Sequence, residues 1–156
     1  MITLIKTTTT MKHISIIIAC FATLALTACS AMSSAASSNT VASATGQACG
    51  TAVQGLYSSY KNTGTIDLTN TNNLNNALAL ATAYTNLKQN KDNSNYRKAF
   101  TSGLIASSAG LITQATASGF VDKLLASSGL SNINTQNITQ TAATVAAIVT
   151  LLNALK

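Results

Sequence analysis

Beyond residue 28 the groups able to do acid–base or nucleophilic chemistry are few. Asp67, Asp92 and Asp122 are the side-chain carboxylates, the chain has no Glu, and its one His, His13, lies near the start. General acid–base catalysis draws on His or a carboxylate with a tuned pKa, and paired-carboxylate chemistry needs two of them close together. Three scattered aspartates do not supply that, so the chain is read as not an enzyme, with no catalytic residue. Transition metals want clustered Cys and His, and calcium wants several oxygens in one loop. Neither pattern occurs, and no metal or cofactor is expected. Gly103 and Gly110 are separated by residues 104–109 inside a helical pattern, so they read as architectural and not as a phosphate loop. Lys123 has many serines from which to form a Ser–Lys pair, in which a buried lysine acts as base. The plainer reading is a solvated lysine.

One concentration of charge stands out: Lys88, Lys91, Arg97 and Lys98 gather around a single Asp92. Such a patch suits anionic lipid headgroups or a phosphate-bearing glycolipid, and it also suits a solvated turn that binds nothing.

The start of the chain has a different character. Lys12 and His13 precede a short apolar run, residues 14–25, that ends in small residues, the order of a secretory signal peptide. A helix crossing the bilayer needs about 20 apolar residues, and this run is too short. Met11 sits where such a segment would normally begin, so residues 1–10 are either an over-long start or an extended basic region.

Leu26-Thr27-Ala28-Cys29 resembles the lipobox of bacterial lipoprotein precursors, an aliphatic residue, two small residues and then cysteine, at all four positions. The looser tetrad Ile17-Ile18-Ala19-Cys20 would leave an apolar core of only 14–18. The resemblance covers the first 29 residues. It implies cleavage between Ala28 and Cys29, a thioether-linked diacylglycerol on Cys29, and often a further acyl chain such as palmitate on the new amino terminus. A single myristoyl chain anchors only marginally, whereas two or three chains hold firmly. Ser30 stands where an aspartate would favour retention in the inner membrane, so the resemblance leans towards the outer membrane, facing the periplasm. With Cys20 removed and Cys29 lipidated, Cys49 stands alone in an oxidising setting, either buried and inert or paired with another chain.

Residues 29–156 are enough for one domain with a real core. Leu, Ile, Val and Phe make up about a fifth of them and net charge is low, so the segment should fold. Residues 29–46 are nearly all small, and they are read as a lipidated flexible tether that buries little. From Gln47 the pattern is helical. Val53, Leu56, Tyr57 and Tyr60 share a face before Asn62 and Gly64 interrupt. A second stripe runs through Leu74, Leu78, Ala81, Tyr84 or Thr85, and Leu87, with capping residues at 70–73. Residues 65–68 alternate briefly in a weak strand signal that nothing pairs with.

Ser94 is the expected cap of a third helix carrying Tyr96, Phe100, Leu104, Leu111 and Ala115 and reaching Ser118. Along it Gly103, Gly110 and Ala117 recur at sevens and share a face, against which either another helix of the domain or a dimer partner packs closely. Phe120, Val121, Leu124 and Leu125 form a short helix that Gly129 terminates. Thr135 or Asn134 caps the last helix. Its stripe is Ile138, Ala142, Val145, Ile148 or Val149, Leu152 and Leu155, apolar nearly all round, which places it in the middle of a bundle.

The expected architecture is therefore all-α: a small bundle of four or five helices over 47–156, after a signal peptide at 1–28 and a tether at 29–46. The functional reading is a lipid-anchored envelope protein acting as a non-catalytic interaction or accessory module, its partner an unidentified envelope protein and not nucleic acid, with a homodimer open. A carrier of a small apolar ligand or lipid, and a membrane-active helical protein, are the alternatives.

Overall fold

The computed structural model describes residues 38–133 and 142–155. They form an all-α bundle with no strand among the described residues. Five α-helices, α1 Ser38–Thr63, α2 Thr71–Gln89, α3 Ser94–Ser107, α4 Ala117–Ala126 and α5 Ala142–Asn153, are joined by one 3-10 helix, Ser128–Asn132. No helix among the described residues is long and apolar enough to cross a membrane.

The first helix begins at Ser38, so the second half of the expected tether is helical and partly core: Ala42 and Gly46 are buried. Small residues here are the means of packing. A Cβ on Gly46 would overlap the Phe100 carbonyl, one on Gly50 would meet the Ser107 hydroxyl, and one on Gly103 would meet the Ser43 carbonyl. Backbone therefore lies against backbone along α1 and α3, a contact that needs no large side chain and leaves no hydropathic period. The Ser107 hydroxyl donates across this seam to the Gln47 carbonyl at 2.8 Å. The residue pairs rise together in number, so α1 and α3 run parallel. The close neighbour expected at Gly103 is thus another helix of the same domain.

The second helix runs the other way. Gly55 of α1 faces Asn76, and Ser59 receives a hydrogen bond from Asn73 of α2 at 3.1 Å. Gly64, at φ 73°, ends α1 by donating its N–H to the Tyr60 carbonyl at 2.8 Å. The loop that follows is not a strand; it turns Ile66 and Leu68 into the core. Asn70 caps α2, accepting from the Asn72 and Asn73 amides. The buried face of α2 is Asn73, Ala77, Leu80, Ala81, Ala83, Tyr84 and Leu87, rotated from the expected stripe so that Leu74 and Leu78 are half-buried. Asn73 explains the rotation, because its amide also donates to the Asp67 carbonyl at 2.9 Å and holds a polar side chain inward where hydropathy alone would put it out.

The third helix is capped by Asn93, not Ser94: the Asn93 side chain accepts from the Tyr96 N–H at 3.0 Å. It buries Tyr96, Phe100 and Leu104 as expected but stops at Ser107. Ser108, fully buried, gives its hydroxyl to the Ile105 and Ile112 carbonyls and receives the Ile112 N–H. Ala109 and Gly110 then adopt φ of 50° and 80°, reversing the chain. Gly110 and Ala117 consequently share no face with Gly103. Ile112 is buried where Leu111 is only half-buried, and Ala115 is exposed.

In α4 the residues Ala117, Phe120, Val121 and Leu124 are buried. Gly129 does not terminate it; Ser127 is the C-cap and Gly129 lies within the 3-10 helix, where a Cβ would stand 2.8 Å from the Ala143 carbonyl of α5. The last helix is a flank and not the centre. It buries Thr144, Ile148, Leu151 and Leu152, while Ala142, Ala143, Ala146 and Thr150 are exposed and Val145 and Val149 half-buried. The central position belongs to α1, which packs against α2 and α3 along its length and also meets α5. The expected last-helix caps and Ile138 lie outside the described residues.

Candidate functional site

Cys29, the expected lipidation site, lies outside the described residues. The four basic residues fall together around the turn between α2 and α3. Lys88 sits in the last turn of α2 and is exposed, its ammonium 5.4 Å from the Tyr84 ring centroid and 3.2 Å from that phenol oxygen. Lys91 is exposed in the turn, and Lys98 is exposed in the early part of α3. Arg97 is committed elsewhere: its guanidinium donates to Asp122 of α4 at 3.1 Å, with the two side chains 40% and 67% exposed. An ion pair this open contributes little to stability, but it neutralises one of the four charges. The patch available to an anionic surface is thus Lys88, Lys91 and Lys98, with Asp92 beside them.

The chain direction gives this patch a place in the molecule. With α2 antiparallel to α1 and α3 parallel to it, Ser38, Gln89 and Ser94 lie at one end of the bundle. Lys61 and Asp67 belong to the other end, where α1 passes into α2.

The carboxylates do not converge. Asp67 accepts the Thr69 hydroxyl at 2.7 Å and the Thr69 N–H at 2.8 Å. These two bonds, the hydroxyl's first, lower its pKa from the ordinary value and mark it as a turn-forming residue. Asp122 holds Arg97. Among the described residues no group of three His, Cys, Asp or Glu is placed to hold a metal ion.

Cys49 is free and fully buried on α1. Burial pushes its thiol up to about 12, which keeps it protonated and unreactive at neutral pH. Lys123 is exposed, and the Ser127 hydroxyl is engaged by Lys123's own backbone carbonyl, to which it donates at 2.8 Å.

Two features, the unbonded phenol of a buried tyrosine and a groove, leave no mark in the sequence. Tyr96 is 3% exposed. Burial raises its phenol above the usual tyrosine range, against a smaller opposing effect of the adjacent Thr45 hydroxyl. That hydroxyl is given to the Val41 carbonyl at 2.8 Å, and the buried phenolic oxygen has no hydrogen-bond partner of sound geometry. The second feature is an open groove of about 900 Å³ between the end of α4, the 3-10 helix and α5, lined by Lys123, Ser127, Ser128, Ala143, Ala146, Ala147 and Thr150 among others. Its walls are mostly alanines and hydroxyl side chains, residue types without a distinctive pattern. No protein-family model, curated protein or solved structure matches this chain.

Proposed function

We propose that the chain is a lipid-anchored envelope protein, held on a membrane through Cys29, whose helical domain is a non-catalytic interaction or accessory module. The observation that carries this reading is the complete tetrad Leu26-Thr27-Ala28-Cys29 placed directly after the apolar run 14–25. The separate engagement of Asp67 by Thr69 and of Asp122 by Arg97, together with the inert Cys49, supports a role in contact and not in turnover. The absence of Asp at position 30 favours the outer membrane.

Mass spectrometry of the protein purified from bacterial membranes tests the anchor. The expected product begins at Cys29 and carries diacylglycerol, and Cys29→Ala abolishes both processing and lipid. Normal cleavage and membrane retention of that variant would overturn the reading. Affinity capture from detergent-solubilised envelope, with Cys29 intact, then tests the accessory role: a stoichiometric envelope protein is expected to co-purify.

A second reading, a carrier of a small apolar ligand, has the groove between α4 and α5 in its favour. It stands second because a ligand site buries most of its ligand, and this groove is open. Saturable binding of a fluorescent fatty acid, lost on Ala147→Trp in the groove wall, would bring it to the front.

A further inference from the structure

Resting on the anchored reading, we infer that the end of the bundle carrying Lys88, Lys91 and Lys98 is a contact surface for anionic lipid headgroups, the end that the domain turns towards the membrane holding it.

Two independent observations meet there. One is the charge: three exposed lysines face solvent around a single Asp92, while Arg97 is balanced by Asp122. The other is the covalent path. The first described helix starts at Ser38, at that same end, so only residues 30–37 lie between Cys29 and the bundle. The nine steps along the chain from Cys29 to Ser38 span at most about 32 Å even when fully extended. Lys61 lies near the opposite end of α1, a helix of 26 residues and therefore about 39 Å long.

Distance decides whether the charges matter. A lysine feels an anionic surface only within about a Debye length, some 8 Å at physiological ionic strength. A free protein with three such lysines would bind the surface weakly. Tethering converts that encounter into an intramolecular one, because the anchor keeps the basic end at high local concentration beside the headgroups. Each lysine near the surface then favours the docked orientation by roughly fivefold. A tether running to residue 46 would have left the bundle free to tumble; a helix from Ser38 makes the basic end the near end.

The test uses the processed, lipidated chain in vesicles of phosphatidylcholine alone or of phosphatidylcholine with phosphatidylglycerol. An amine-acetylating reagent is applied, and the reactivity of each lysine is read by mass spectrometry. On the anionic vesicles Lys88, Lys91 and Lys98 are expected to react several-fold more slowly than on the neutral ones, with Lys61 unchanged and high salt erasing the difference. Equal reactivity on both kinds of vesicle, with Cys29 lipidated, overturns the inference and leaves the anchor standing. The same spectra report the state of Cys29, so an unmodified cysteine overturns the anchored reading itself and this inference with it.

Discussion

The Gly103 backbone of α3 lies so close to the Ser43 carbonyl of α1 that a Cβ on Gly103 would overlap that oxygen. This pair fixes the separation and register of the two parallel helices, and with them the end at which Ser38 enters the bundle. Gly103→Ala must push the helices apart. Overpacking a tight site costs about 1–3 kcal/mol, which exceeds the gain of about 1 kcal/mol from replacing a helical glycine. Gly119 in α4 has nothing within 4 Å of the place a Cβ would take, so Gly119→Ala gains helix propensity without a clash. Urea unfolding should show the first variant less stable than the parent and the second more stable. Equal effects would show that the seam is not close-packed.

Cys49 links stability to alkaline pH. Its thiol titrates near 12 when folded and near 9.0 in the absence of burial. The folded state therefore holds the proton more tightly. Its contribution is complete below pH 9 and is lost as pH rises from about 9 to about 12. Cys49→Ala should flatten the fall in stability over that interval. In the native protein a thiol reagent should react with Cys49 only after unfolding; rapid native labelling would contradict its burial.

Tyr96 carries a buried hydroxyl without a sound hydrogen bond. Leaving a buried polar group unsatisfied costs about 1–3 kcal/mol, so Tyr96→Phe is expected to hold or raise the Tm. A fall in Tm would mean that the phenol does bond to the Thr45 hydroxyl.

Leu152 is 1% exposed, whereas Val149 on the same helix is half-buried. Leu152→Ala should cost about 2–5 kcal/mol, the range for large-to-small core changes, and Val149→Ala distinctly less. An unaltered midpoint for the Leu152 variant would move α5 from the core to the surface.

Of the fold, the helical class and the large core residues were legible in the sequence. Val53 and Leu56, Phe100 and Leu104, and Phe120, Val121 and Leu124 recur at the 3.6-residue period, and burying such side chains is the main reward of folding. The cap at Asn70 was legible among the residues proposed for it, because its side chain acts on its own neighbours. The scarcity of catalytic groups, the tetrad ending in Cys29 and the clustering of Lys88, Lys91, Arg97 and Lys98 are likewise properties of the sequence itself.

Tertiary structure decided what small and polar residues do. The start of α1 at Ser38 depends on backbone contact with α3, which Ala42 and Gly46 permit without any hydropathic signature. The end of α3 depends on the Ser108 hydroxyl and on left-handed backbone at an alanine, Ala109, a residue that gives no warning of it. Asn73 turned the face of α2 through bonds to Ser59 and to the Asp67 carbonyl, partners that exist only once the loop has folded. Arg97 left the basic patch for Asp122, distant in sequence, and the parallel course of α1 and α3 brought Ser38 to the end where the lysines remain. Sequence patterns report the burial of large apolar side chains; close backbone approach and long-range polar pairing appear only when two elements meet.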